Sequence, residues 1–270
     1  MNIKGMLDIL NQIAPFEIAE KWDNSGLQAG NLNWEVNKIM IGLDVTMPLM
    51  NAAKKSKSDL VLTHHPLMIL PEKTFDFQKM PGSAIQMAAT DKISIISVHT
   101  NLDKANDGLN DYFASKIGVE KTMPFLPDHL NQDSDVQKSG MGRLGSLKTS
   151  LTLNDLARQI KNRLKLSNIR ITGELKKKVK NIAICTGSGG SLIDEFIRSK
   201  ADVYITGDIK YHEARAVEQA SKAIIDVGHF GSELMVVDLL SNRLNLVFNN
   251  AGLNIEIKKF SKEKDPFTIV

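Results

Sequence analysis

The feature of this sequence that most constrains its fold is a segment that occurs twice. Residues 38–64, KIMIGLDVTMPLMNAAKKSKSDLVLTH, align without gaps on residues 181–207, NIAICTGSGGSLIDEFIRSKADVYITG, at a constant offset of 143 positions. Each segment is typical of strand, helix and strand, and a further apolar strand follows in each half, ISIISVH and KAIIDVGH. We interpret the two segments as structural copies of one βαβ unit; the alternative is that any two βαβ units share such a pattern.

The rest of the chain alternates in the same way. NIKGMLDILNQIAP has apolar residues at helical spacing and ends at Pro15, and TMPLMNAAKKSKS predicts a helix with Pro48 in its first turn. GSAIQMAATDK and NDGLNDYFASKIG predict two more helices, the second with Gly118 beyond its end. The pattern indicates the α/β class with a largely parallel sheet. The polar, glycine-rich residues 127–147 are the best candidate for a domain boundary.

Composition excludes several classes of protein. The chain has 270 residues, enough for two modest domains, and its one cysteine, Cys185, excludes an internal disulfide framework and a cysteine-based zinc site. No apolar stretch approaches the roughly 18 to 20 residues that span a bilayer, and the polar N-terminus is unlike a secretory signal, so we expect a cytoplasmic protein without a membrane partner. The net charge of +3 is mild, and the lysines at 176–180 and 258–264 indicate a solvated face rather than a nucleic-acid site.

Histidines are concentrated where predicted strands end. Open α/β sheets bind their ligands at the carboxyl ends of the strands. His129 lies instead in the boundary segment, where we expect it on the surface. The histidines that follow predicted strands are His64, His65, His99, His212 and His229.

Polar motifs at three of these strand ends have the composition of a metal site. HFGSE places His229 and Glu233 at i and i+4, which is one face of a helix, and HTNLD gives His99 and Asp103 the same separation. THHP adds two adjacent imidazoles. Imidazole and carboxylate ligands suit zinc, iron or manganese, and the three motifs together suit two metal ions with one bridging carboxylate. The alternative is that these residues cap and hydrogen-bond loops.

Two further motifs are candidates for substrate binding. The turn in CTGSGGSLIDE could hold an anionic group such as phosphate through the backbone N–H groups of Gly187, Ser188 and Gly189, although a tight turn needs the same glycines. TGDIKYHEA adds Lys210, which could orient substrate, and His212, which could act as a general acid or base. The alternative for this motif is a polar loop that packs a domain interface.

Seven motifs occur in an order that matches a known family. They are WDNSGLQAG, THHPL, VHTNLD, GMGRLG, TGSGGSLI, TGDIKYHEA and DVGHFGSE. The chain resembles the GTP cyclohydrolase I type 2 homologs, the NIF-three-like dinuclear-metal proteins, over nearly its whole length. The resemblance implies the NIF-three-like fold of two α/β domains, the first made of residues 1–125 and 228–270 and the second of residues 126–227. It also implies a toroidal homohexamer.

The resemblance also implies which residues bind metal. Glu233 would bridge two divalent ions per chain, and His99 is not a usual ligand in the family, so we expect it to act behind the ligands or in catalysis. Longer relatives carry an inserted domain where this chain has only the short polar stretch 131–139. The implied ligands are His64, His65, Asp103, His229 and Glu233.

These observations predict a dinuclear metal-dependent hydrolase that acts on a nucleotide or a related phosphate-bearing substrate through a metal-activated water. His99 or His212 would move protons, and the TGSGG turn would hold phosphate. A metal-dependent phosphoesterase would use the same parts. A metal-binding scaffold or regulatory ring protein without turnover is the alternative from a different class.

Overall fold

The structure, a computed structural model, describes residues 1–128 and 139–269; residues 129–138 of the predicted boundary segment, with His129, therefore lie outside the described residues. The strands within these ranges are β1 (Gly26–Ala29), β2 (Lys38–Gly42), β3 (Leu60–Thr63), β4 (Ser94–Ser97), β5 (Glu120–Pro127), β6 (Gly140–Thr152), β7 (Arg170–Thr172), β8 (Lys178–Ser188), β9 (Val203–Gly207), β10 (Ala223–Asp226) and β11 (Glu256–Lys259). The α-helices are α1 (Ile3–Ile13), α2 (Met47–Ser56), α3 (Gly82–Asp91), α4 (Thr100–Lys104), α5 (Leu109–Ile117), α6 (Leu153–Arg163), α7 (Ile193–Arg198), α8 (Tyr211–Gln219), α9 (His229–Glu233) and α10 (Val236–Asn250). None of these described helices is long and apolar enough to cross a membrane.

The predicted helices of the first half are confirmed, with the local signals that defined them. Asn2 caps α1 by accepting a hydrogen bond from the Gly5 N–H, and Thr46 caps α2, with a proline in its first turn. Gly118 ends α5 in the left-handed conformation at φ 84°. The strand predicted at ISIISVH ends earlier, at Ser97, and α4 begins at Thr100.

The chain divides into two compact units. The first unit is Met1–Leu102 with Met235–Val270, and the second unit is Asp103–Leu234. The domain boundaries that the resemblance implies, 125/126 and 227/228, differ from these unit boundaries and stay a prediction. The difference arises because α5 and β5 pack on strands of the second unit, β6 and β8, and α9 packs on β8 and β9.

Each unit contains a sheet with a parallel centre. The order in the first unit is β1-β4-β3-β2-β11, in which β11, β2, β3 and β4 are parallel and β1 is antiparallel to β4. The order in the second unit is β5-β6-β8-β9-β10-β7, in which β8, β9 and β10 are parallel and β7 is antiparallel to β10. The predicted α/β class is confirmed, and antiparallel strands are added at the sheet edges.

Each sheet forms one wall of an apolar core. In the first unit, Val61 and Ile95 of the central strands pack with Leu49 of α2 and with α3. In the second unit, Tyr204 of β9 stacks on Phe196 of α7 with ring centroids 5.3 Å apart. The polar motifs follow the carboxyl ends of the parallel strands, where α/β sheets bind their ligands.

The internal repeat is confirmed and extends well beyond the 27 aligned residues. The order α1-β1-β2-α2-β3-α3-β4-α4 recurs as α6-β7-β8-α7-β9-α8-β10-α9. The sheet order β1-β4-β3-β2 likewise recurs as β7-β10-β9-β8, with the first strand antiparallel in both. The two copies therefore share one topology from their first helix to the short helix after the fourth strand.

The same hydrogen bonds recur at equivalent positions of the repeat. A carboxylate oxygen of Asp59 accepts hydrogen bonds from the N–H groups of Asn37 and Lys38, at 2.8 and 2.9 Å. Asp202, which is 143 positions later, accepts the same pair from the residues at 180 and 181, at 2.9 and 2.8 Å. Each aspartate thereby fixes the start of one parallel strand against the next.

We expect Asp59→Ala and Asp202→Ala to lower the free energy of unfolding by similar amounts, about 1–2 kcal/mol each, because each removes a charged acceptor from two backbone donors. Urea denaturation measures the change. Asp8→Ala, at an exposed position of α1, is the control and should change it by less than about 0.5 kcal/mol. A loss at only one of the two repeated aspartates would contradict their equivalence.

Candidate metal centre

The two adjacent histidines of THHP lie side by side in the first unit. Their ring centroids are 5.1 Å apart and their planes are inclined by 43°. The Thr63 hydroxyl donates to the His65 carbonyl at 2.8 Å, and the His65 N–H donates to the Leu43 carbonyl at 3.0 Å. These bonds form a turn directly after β3, which ends at Thr63. Both histidines therefore lie outside the strand, where successive side chains would point to opposite faces of the sheet.

Both imidazoles are held through Nδ1. His64 Nδ1 lies 2.8 Å from the Val98 carbonyl oxygen, and His65 Nδ1 lies 2.6 Å from Oδ1 of Asp44. Because these oxygens only accept hydrogen bonds, each Nδ1 carries a proton, and in the neutral imidazole the lone pair then lies on Nε2. Metal-binding histidines are oriented in the same way in other proteins.

His99 joins this pair. Its ring centroid lies 5.2 Å from that of His64 and 5.5 Å from that of His65. One ring nitrogen from each of the three lies within 4.8 Å of the others. The first unit alone therefore presents a group of three imidazoles that could hold a metal ion. We call it the histidine group.

His99 is oriented by Asp23, whose side chain is fully buried. His99 Nδ1 lies 2.8 Å from Oδ1 of Asp23. Burial alone would raise the pKa of Asp23, but hydrogen bonds from His99, Thr100 and Ser25 hold that pKa well below its usual range. Asp23 therefore remains ionised as the partner of His99. The sequence interpretation gave no role to Asp23 or to Asp44, although Asp44 lies at the carboxyl end of β2, the kind of position that drew attention to Asp103.

In the second unit, His229 and Glu233 form the predicted i, i+4 pair on one turn of α9. His229 Nε2 lies 3.0 Å from Oε2 of Glu233, which is 2% exposed. His229 Nδ1 lies 2.7 Å from Oδ2 of Asp208, so a carboxylate holds this imidazole as well. The motif TGDIKYHEA thus supplies the acceptor that orients His229.

Gly187 leaves the space that Glu233 occupies. A Cβ atom at this position would lie 2.2 Å from Oε1 of Glu233 and 3.4 Å from Nε2 of His229. The residue also has φ +68°, and its N–H donates to the Ser232 hydroxyl at 2.9 Å. Only glycine satisfies all of these requirements.

The repeat explains why the second unit lacks a histidine pair. The position equivalent to His64 is Gly207, where a Cβ atom would lie 2.6 Å from both the Gly228 carbonyl carbon and the His229 N. The close backbone approach excludes any side chain there.

Asp103 is buried in the second unit, 6% exposed, and is fixed through its neighbours. Its Oδ1 lies 3.4 Å from the Thr186 hydroxyl, and Asn110 donates to its carbonyl at 3.0 Å. Burial and the negative charges of Asp103 and Glu233 raise the pKa of Cys185 to about 12, so this thiol stays protonated. The second unit therefore presents Asp103, His229 and Glu233 as possible ligands, without a thiolate.

The structure gives the predicted substrate residues a mixed outcome. The N–H of Gly187 is engaged by Ser232, and that of Gly189 lies 3.4 Å from the Gly207 carbonyl oxygen, which removes two of the three donors predicted to hold phosphate. Ser188 is exposed. Lys210 and His212 are exposed at the start of α8, where the ring of His212 lies 5.3 Å from that of Tyr211. The substrate roles of these exposed residues remain predictions.

Comparison with known proteins agrees with this architecture. A family model described as Duf34/NIF3 (NGG1p interacting factor 3) matches residues 1–266. A Campylobacter jejuni protein named GTP cyclohydrolase 1 type 2 homolog is 34% identical over 267 residues, 99% of each chain, and a Clostridium perfringens protein of the same name is 31% identical over 270 residues, the whole of both chains. The crystal structure of a Bacillus cereus protein related to NIF3 has a TM-score of 0.92 at 23% identity, covers 100% of this chain and 99% of its own, and confirms the expected NIF3-like fold. The chain therefore belongs to the Duf34/NIF3 family.

Proposed function

We propose that the chain is a dinuclear metal-dependent hydrolase that binds two divalent ions. One observation carries the proposal. An oxygen acceptor, either a carbonyl or a carboxylate, holds Nδ1 in each of four imidazoles, those of His64, His65, His99 and His229. Metal-binding histidines in other proteins are oriented in this way, with Nε2 as the ligand atom. The proposed ligands are His64, His65, Asp103, His229 and Glu233, with Glu233 as the bridge.

The donor set fits such ions. Imidazole nitrogen and carboxylate oxygen suit zinc, iron and manganese. Asp103 and Glu233 are almost fully buried, and a cation offsets the cost of burying a negative charge. Gly187 supplies the space in which the Glu233 carboxylate lies.

The proposed chemistry is hydrolysis of a nucleotide or a related phosphate-bearing substrate, in line with the names of the relatives. Two bound ions would lower the pKa of a water molecule towards neutrality and polarise the substrate. Asp23, Asp44 and Asp208 hold their imidazoles in one tautomer. His99, oriented by Asp23, is the better placed of the two histidines expected to move protons, because His212 lies exposed on α8.

Purified protein loaded with Mn²⁺, Fe²⁺ or Zn²⁺ tests this proposal. We expect elemental analysis to give close to two ions per chain, and GTP or a member of a phosphoester panel to be turned over. The control is the double variant His64→Ala, Glu233→Ala, which should lose both metal and turnover. Bound metal without turnover above this control, under every metal, would favour a scaffold or regulatory ring protein.

The choice of substrate separates the remaining alternatives. Release of phosphate from esters without ring opening of GTP would favour a phosphoesterase.

We also propose a toroidal homohexamer, and light scattering on the same preparation should then give six times the chain mass of 29.9 kDa. Full metal occupancy in the single variant Glu233→Ala would contradict the bridging role of Glu233.

A further inference from the structure

Trp22 is a large apolar side chain that the fold leaves uncovered. It is 57% exposed, although tryptophan is buried to a high degree in most proteins. Its ring lies edge-on to that of His99, with centroids 5.9 Å apart and an interplanar angle of 74°. An exposed indole therefore lies directly beside the histidine group.

The turn that carries Trp22 is anchored by the residue that follows it. The Asp23 side chain is fully buried and accepts hydrogen bonds from the Thr100 hydroxyl at 2.6 Å and the Ser25 hydroxyl at 2.7 Å, in addition to His99. The Asp23 carboxylate binds the His99 ring and the hydroxyls of Thr100 and Ser25, so the turn that carries Trp22 is held beside the imidazoles.

We propose that Trp22 is a specificity-determining residue that stacks on a flat heteroaromatic ring of the substrate. Every nucleobase presents a π-face, and stacking on an aromatic side chain contributes to binding without hydrogen-bond readout. This inference rests on the proposed hydrolase function and narrows its substrate class to phosphate-bearing molecules that contain such a ring. A phosphate ester without a ring would gain nothing from Trp22.

Fluorescence in the metal-loaded protein tests the stacking directly. The chain has two tryptophans, Trp22 and Trp34, so the variant Trp34→Phe leaves Trp22 as the reporter. We expect GMP to quench its fluorescence in a saturable manner and ribose 5-phosphate, which has the same phosphate but no ring, to leave it unchanged. Equal quenching of the Trp22 fluorescence by the two probes would overturn the proposal.

Two substitutions at the same position separate the aromatic face from simple bulk. We expect Trp22→Leu to weaken GMP binding about tenfold by calorimetry and Trp22→Phe to retain most of the affinity. Metal content and chain association should be unchanged in both variants. GMP affinity in Trp22→Leu equal to that of the wild type would refute the stacking role, and loss of metal or a change in oligomer mass would assign Trp22 a structural role instead.

The outcome for Trp22 and the outcome for the hydrolase can be told apart. Ring-dependent quenching without any turnover would uphold the binding role of Trp22 and contradict the hydrolase. Turnover with equal affinity for GMP and ribose 5-phosphate would uphold the hydrolase and contradict the stacking.

Discussion

Replacing Gly187 with alanine is expected to lower metal affinity by about 10–100-fold, the range for changes that disturb the surroundings of a metal ligand. The new Cβ would lie 2.2 Å from Oε1 of Glu233 and would force this carboxylate out of its position. Gly187 also has φ +68°, so alanine would add a backbone cost of about 1–2 kcal/mol. Titration of the metal-free protein with Zn²⁺ measures the affinity.

The chain offers a matched control at Gly252. Its φ is +65°, so Gly252→Ala incurs the same backbone cost, but among the described residues no atom beyond its chain neighbours lies within 4 Å of the Cβ that would be added. We expect Gly252→Ala to lose stability and to bind metal as the wild type does. Equal metal affinity in the Gly187 and Gly252 variants would show that Glu233 does not need the space beside Gly187.

Replacing Arg143 with methionine is expected to lower the free energy of unfolding by about 3–5 kcal/mol. Arg143 is 1% exposed, and its guanidinium lies 2.7 Å from Oδ2 of Asp111 and donates to Oδ1 at 2.8 Å. The remaining donors bind the carbonyl oxygens of Gly140, Gly142 and Ala105. Methionine would leave a carboxylate and several carbonyl groups without their donor, and urea denaturation would measure the loss.

Two further variants define the cause of that loss. Arg198→Met removes an exposed ion pair with Glu195 and should cost less than about 1 kcal/mol. The double variant Arg143→Met, Asp111→Leu should recover part of the stability, because an apolar pair replaces a buried charge that has lost its partner. A double variant as unstable as the single one would contradict this account.

Metal affinity should also fall in Arg143→Met, since Ala105 follows Asp103 by two residues.

Residues close together in the sequence made much of the candidate centre predictable. The pair His229 and Glu233 depends only on the period of a helix, and the position of THHP depends only on where an apolar run ends. The repeated segments were visible because their pattern persists over 27 residues. These features follow from local geometry, which one sequence is enough to define.

The interpretation of the sequence missed the features that depend on tertiary contact. Asp23 is 76 residues from His99, and Asp44 is 21 residues from His65, so no spacing rule connects them. The glycine-rich turn indicated a backbone with unusual freedom, and anion binding was the familiar interpretation of it. The structure uses Gly187 instead to make room for Glu233, a side chain 46 positions further along the chain. The unit boundaries likewise depend on which sheet α5 packs against.

The close backbone approach at Gly207 has an evolutionary consequence. If the two units arose by duplication, the second copy could not regain an imidazole at this position by any single substitution, because Gly228 and His229 occupy the space. The close approach of the backbone at 228 and 229 and the loss of a side chain at 207 would then be linked events, and each would have made the other irreversible. The absence of a histidine pair from the second unit would then follow from sterics alone, independently of any selection on metal binding.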